Sequence, residues 1–172
     1  MTRRALIVRG GWDGHHPIAA TDMFVPFLEQ NGFEVAIEET NEVYADAERM
    51  AGVDLVVQAV TMSSISDDAL RGLRSAVEAG TGLAGWHGGI ADSYRNSSDY
   101  LQLVGGQFAT HPGRHPDDRP GDERDNYLDY TVGITELGRG HEITAGIDDF
   151  TLHTEQYWVL HDDLIDVLAT TT

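Results

Sequence analysis

The stretch "GTGLAGWHGGIAD", residues 80 to 92, has the residue types and spacing of a chemical device. Its centre reads G-x-H-x-G, the pattern of a nucleophile elbow, in which a strand enters a sharp glycine-flanked turn and leaves as a helix. That turn normally presents a Ser or Cys at the end of a sheet; here it presents His87. An imidazole exchanges protons near neutral pH, so general acid–base chemistry is the expected use of such a tip. Gly88 and Gly89 let the backbone turn sharply and let a substrate approach closely. Two further histidines, His15 and His16, stand in the glycine-bearing stretch "GGWDGHHP", and a carboxylate, Glu155, is flanked by Thr154, Tyr157 and Trp158 in "HTEQYW". A carboxylate in such surroundings is a candidate acid or base.

The elements that must position these groups alternate. Apolar runs ending in glycine or polar residues, at 4–10 and 54–60, predict buried strands, and 33–39 alternates as a half-exposed strand. Between them, 19–32 has Ala20, Phe24, Phe27 and Leu28 at helical spacing, with a bend expected at Pro26, and 41–52 predicts a short helix. Ser66 is the expected cap of a helix that carries Asp67 and Asp68 in its first turn and Leu70, Leu73 and Val77 as its apolar stripe. Residues 82–87 form the next strand, expected to be central. Such alternation predicts a parallel sheet with helices on both faces, and ligands bind at the carboxyl ends of its strands. The loops at 10–17, 61–64 and 87–92 then meet at one rim, bringing His15, His16 and His87 together, with Trp12, Gly88, Gly89 and Asp92 beside them.

The second half is less regular. Residues 96–106 predict a helix, and 107–125, which holds His111 and His115, is a long polar loop rich in proline. Its stretch from 111 to 125 is expected to be mobile or to act as a lid. Strands are expected at 126–132, 150–160 and 164–170. The three tryptophans are expected mostly in the core, with one at the rim able to stack on a sugar.

Composition narrows the partners. The 172 residues carry a formal net charge of −18, with 41% hydrophobic and 23% charged residues, and every basic residue is Arg. So acidic a chain repels phosphate backbones, which argues against nucleic acid. No apolar run approaches the roughly 20 residues of a membrane span, so no membrane partner is expected. The absence of cysteine excludes disulfides, thiolate metal sites and a Cys nucleophile, and makes the cytoplasm the expected location.

Five pieces occur in order along nearly the whole chain: "GGWDGHHP", "GTGLAGWHGG", "YLQLVGGQFATHP", "GHEITAGIDDF" and "TEQYWVL". In this the chain resembles the ThuA-like family, named for trehalose utilisation, within the class I glutamine amidotransferase-like superfamily. The resemblance implies one flavodoxin-like α/β domain over 1–172, a three-layer sandwich with a mainly parallel sheet, and a role in sugar metabolism. It implies His111 as a site residue and matches Glu155 to the family's D/E-E-x-Y position, with Tyr157 as its tyrosine. It also accounts for the elbow: glutamine amidotransferases of this fold carry Cys there, ThuA-like proteins His, so glutaminase chemistry is not expected. The chain departs from the pattern at Glu142, where proline is usual, and it ends at Thr172, before the strand, the glycine- and histidine-bearing motif and the helix that close typical members.

Two readings stay open on these grounds. One is an enzyme acting on a disaccharide or keto-sugar by proton transfer, with His87 and Glu155 as acid and base, His111 or a loop histidine orienting the substrate, and His15, His16, Trp12, Gly88, Gly89, Asp92 and Tyr157 binding it. A variant adds a divalent metal such as Zn, Mn, Ni or Fe, although no H-x-H or H-E-x-x-H spacing occurs. The other is a non-catalytic module that binds a small carbohydrate or a partner protein. Homo-oligomer formation is left open by the sequence.

Overall fold

The run Ala5 to Val8 has no polar side chain to offer water, and all four residues are buried in the middle of β1 (Arg3–Gly11). A strand apolar on both faces must be covered on both, which is the condition of a parallel α/β sheet. In the computed structural model, which describes residues 2–172, β1 lies between β2 (Phe33–Glu38) and β3 (Leu55–Thr61), parallel to both, with Ala5 opposite Val35 on one side and Leu55 on the other. β4 (Gly82–Gly85) pairs with β3, giving the order β2-β1-β3-β4 of a flavodoxin-like sheet. Alternate residues of β1 feed opposite layers: Leu6 and Val8 join a core with Val56, Val60, Leu73 and Tyr100, whereas Ala5 and Ile7 pack with Leu28 and Val57.

The chain divides into two compact units, the first ending at Gln107 and the second running from Phe108 to Thr172. The sheet above belongs to the first. Its longest helix, α4 (Asp67–Glu78), starts as expected: the Ser66 hydroxyl accepts from the Ala69 amide at 3.3 Å, with Asp67 and Asp68 in the first turn. Pro26 does more than bend its helix. The segment splits into α1 (Pro17–Asp22) and α2 (Val25–Gln30), because proline has no amide to continue a helix and starts one readily. Phe24 and Phe27 are accordingly exposed, and Leu28 alone of the expected stripe is buried. The short helix expected at 41–52 is a 3₁₀ turn, Asn41–Ala45, followed by the single turn α3 (Ala47–Met50). β4 is the last strand of its sheet, not a central one. After it come α5 (Gly88–Ala91) and α6 (Ser98–Val104).

β5 (Gly106–Thr110) occupies the start of the segment read as loop and pairs with β8 (Trp158–His161). In the second unit, β6 (Tyr127–Ile134) lies antiparallel between β7 (Phe150–Glu155) and β9 (Ala169–Thr171), and α7 (Glu136–Arg139) follows β6. The strand expected at 150–160 is thus two strands in two sheets, broken at Gln156 and Tyr157. The strand expected at 164–170 is reduced to the three residues of β9. Residues 111–125 hold two 3₁₀ turns, Pro116–Asp118 and Glu123–Asn126, with the Arg114 amide bonded to the Asp125 carbonyl at 2.8 Å. Trp12 and Trp158 are exposed instead of core residues, at 51% and 61%. Trp86 is half-buried, its ring 4.7 Å from that of Phe24.

Candidate active site

The strand order reverses between β1 and β3, the place where open α/β sheets bind ligands at the carboxyl ends of their strands. The loops leaving these two strands are tied together by the Trp12 amide, which donates to the Thr61 carbonyl at 3.0 Å. Gly11, at φ +80°, makes this approach feasible: a Cβ there would lie 1.9 Å from the Thr61 carbonyl oxygen. The loop after β4 joins the same rim through Met62 N to Asp92 O and Ser63 N to Ser93 O, both 2.8 Å. Among the described residues, the non-glycine positions with positive φ are His16 (46°), Met62 (49°) and His87 (52°), one in each of the three loops. Side chains pay a steric penalty in this region, and backbone strain of this kind gathers at functional sites.

His87 sits between β4 and α5 at φ 52°, ψ −145°, with its carbonyl accepting from the Ala91 amide at 3.0 Å. Its side chain is exposed, and its ring lies 4.6 Å from that of His15. His15 Nδ1 is 2.9 Å from the Thr61 hydroxyl, and the Trp12 ring meets the His15 ring edge-on at 4.8 Å. Of the two adjacent loop histidines, His15 therefore faces His87. His16 is exposed on a recess of about 550 Å³ that Arg9, Asp13, Asp22 and Glu39 also line. Gly88 and Gly89 are buried under the turn. Asp92 is buried as well, its carboxylate held by Arg95: Nη2 donates to Oδ2 at 2.7 Å and Nε to Oδ1. Asp92 thus braces the rim with both carboxylate and carbonyl.

In the second unit His111, Glu155 and Tyr157 come together. The His111 ring lies 5.1 Å from Tyr157 and 4.9 Å from Phe108, and Phe108 and Tyr157 are 4.5 Å apart. His111 Nδ1 is 3.3 Å from the Gln156 carbonyl, which can only accept, so Nδ1 carries the proton and Nε2 stands 4.0 Å from Glu155 Oε1. The Tyr130 hydroxyl donates to the Glu155 backbone carbonyl at 3.0 Å, and partial burial, with the Glu155 charge added, raises that phenol above its usual range. The other histidines stand elsewhere: His115 and His161 are exposed, His141 Nδ1 accepts from the Ile143 amide, and His153 pairs with Asp129 at 2.7 Å. Among the described residues no three His, Cys, Asp or Glu side chains gather in a group that could hold a metal ion. Among the described residues no helix is long and apolar enough to cross a membrane.

A model of the ThuA family, described as trehalose utilisation, matches residues 4–172. The chain belongs to the ThuA family. Two solved structures agree with this ThuA fold. A ThuA-like protein from Bacteroides uniformis is 18% identical with a TM-score of 0.68, over 91% of this chain and 60% of that one. Another from Parabacteroides merdae is 12% identical with the same TM-score, over 99% of this chain and 68% of that one. The ThuA chain described here thus spans 60% of the length of the first of these relatives. No curated protein matches it. Sequence reasoning missed Thr61, which ties the loops after β1 and β3 and bonds His15, and Arg95, which holds the Asp92 carboxylate.

Proposed function

We propose that this ThuA-family chain acts on a disaccharide or keto-sugar of trehalose utilisation by proton transfer at His87, without glutaminase activity. The observation that carries the reading is the pairing of His87, strained at the tip of an elbow, with His15, which Thr61 orients at the switch point of the sheet. An imidazole so placed can take a proton from a sugar hydroxyl, or from the carbon beside a ketone, and return it. The exposed Trp12 ring offers a surface for the apolar face of a pyranose. His111 beside Glu155 supplies a second imidazole–carboxylate pair in the reading. No thiolate exists to attack an amide, which supports the exclusion of glutaminase chemistry. The family's association with trehalose utilisation supports the substrate class.

The test is a screen of trehalose, other parent disaccharides and their 3-keto derivatives for turnover and for binding, with glutamine hydrolysis as the negative arm. Turnover of a sugar with none of glutamine is expected. Binding without turnover by every sugar instead assigns the chain to the module reading, and turnover of glutamine refutes the proposal.

A further inference from the structure

α5 cannot hold itself. It is a four-residue turn, and an isolated helix of that length is far from stable in water. Its last carbonyls lack the amides of a following turn. Yet its first residue follows His87, whose unfavourable backbone angles persist only if the surroundings over-determine them.

Beneath it lies a chain of buried polar groups in which every proton has a destination. Gln58, fully buried in β3, accepts from the Tyr44 hydroxyl at its Oε1 (3.1 Å). Its Nε2 donates to Ser93 Oγ at 3.0 Å and to Tyr100 Oη at 2.5 Å. Ser93 Oγ in turn donates to the Gly89 carbonyl at 3.0 Å, and Tyr100 Oη to the Ile90 carbonyl at 2.9 Å. Ser93 Oγ also lies 3.3 Å from the Ile90 carbonyl, and Tyr100 Oη 3.3 Å from Ser93 Oγ. With the Tyr44 hydroxyl donating to Oε1 and Ser93 and Tyr100 both reaching backbone carbonyls of α5, the amide stands with its nitrogen towards α5 and its oxygen towards Tyr44. Both outputs of the network end on the two carbonyls next after Gly88. Burial pushes the Tyr100 phenol from 10.0 up to about 12, so this donor keeps its proton into the alkaline range.

We infer that Gln58, acting through Tyr100 and Ser93, is the positioning residue of the elbow: it anchors the turn that sets the His87 ring against His15. Its consequence for turnover rests on the proton-transfer role proposed for His87; the anchoring itself does not. A reading of Gln58 as a core filler predicts lost stability alone, whereas the positioning role predicts that the His87 ring moves.

The experiment compares Gln58→Met, which keeps the volume and removes the bonds, Tyr100→Phe, which removes one of the two links to α5, and Tyr44→Phe. The last removes a buried hydroxyl from the same network on the side away from α5 and serves as the matched control. The imidazole proton signals of His15 and His87 are followed by NMR, assigned with the His15→Ala and His87→Gln variants, alongside melting temperature and, on any sugar found to turn over, kcat and KM. Tyr100→Phe and Gln58→Met are expected to shift both imidazole signals and to lower kcat by about tenfold to a hundredfold with KM little changed, the effect of a misplaced catalytic group. Tyr44→Phe is expected to lower the melting temperature and leave those signals in place. If Gln58→Met does not fold, Tyr100→Phe decides. A folded Tyr100→Phe protein with both signals unmoved overturns the inference. Shifted imidazole signals with no sugar turned over by the wild type uphold the anchoring and refute only the catalytic reading.

Discussion

Adding one methyl group at Gly88 should damage the site through His15 and through little else. An ideal Cβ at Gly88 lies 2.6 Å from His15 Cε1, 3.0 Å from its Nδ1 and 3.1 Å from Thr61 Cγ2. Contacts of this kind settle near about 3.6 Å, so the imidazole must withdraw by about 1 Å. The 2.9 Å contact between His15 and Thr61 then passes the limit of a hydrogen bond. Losing that bond costs about 1 kcal/mol, and overpacking adds about 1–3 kcal/mol. Alanine returns about 1 kcal/mol over glycine in a helix, which leaves Gly88→Ala destabilising by about 1–3 kcal/mol. The assay is a double-mutant cycle with His15→Ala, read by denaturant unfolding of four proteins. With the imidazole gone the Thr61 Cγ2 contact at 3.1 Å is what remains of the three nearest, so most of the cost should vanish, giving a coupling of about 1–3 kcal/mol. Gly89→Ala is the contrast: its Cβ would meet Ala59 Cα at 2.9 Å, a backbone atom that cannot withdraw, so its cost should be the same with or without His15. Costs for Gly88→Ala that agree within about 0.3–0.5 kcal/mol in the two backgrounds would refute the placement of His15 over the elbow.

Two further outcomes follow from buried groups. Tyr100 is 1% exposed and its phenol is raised from 10.0 to about 12 by burial, with Tyr44 and Tyr94 raised for the same reason. The unfolded chain gives up these protons first, so their stabilisation is complete below pH 10 and is lost as pH rises above it, through about 12 for Tyr100. For Tyr100 alone the loss amounts to about 3 kcal/mol, and Tyr100→Phe should flatten the alkaline limb of a stability–pH curve. Arg95→Met leaves the buried Asp92 carboxylate without its guanidinium; with Arg95 half-exposed, a loss of about 1–2 kcal/mol is expected. That loss should shrink in an Asp92→Asn background, again by denaturant unfolding.

Much of the first unit was legible because its signals are local. Ala5 to Val8 and the apolar run of β3 could only be strands covered on both faces, Ser66 ahead of two aspartates could only open a helix, and the glycines around His87 marked the elbow. What was not legible depends on partners distant in the chain. Strand order is a long-range property, so a glycine-rich strand before an elbow looked central although β4 ends its sheet. Residues 150–160 carry no glycine or proline to mark a break, yet the chain breaks at Gln156 and Tyr157, where the Tyr157 ring packs on Phe108 and His111. Trp12 and Trp158 are exposed because hydrophobicity alone does not say whether a cover is present. At the site, the types and spacing picked out His87 and the loop histidines. Which of His15 and His16 faces His87 depends on the hydrogen bond to Thr61, a residue with no sequence signature of its own.

The central claim is that His87 moves the proton. Its most direct test is the turnover of wild type and His87→Gln on the sugar found by the screen, with circular dichroism and melting temperature as folding controls. Glutamine keeps a polar side chain of similar reach but cannot exchange a proton near neutral pH. The account predicts a loss of about 10²–10⁴-fold in kcat, with the fold and most of the sugar affinity retained. A folded His87→Gln protein that keeps turnover within a few-fold of wild type contradicts it.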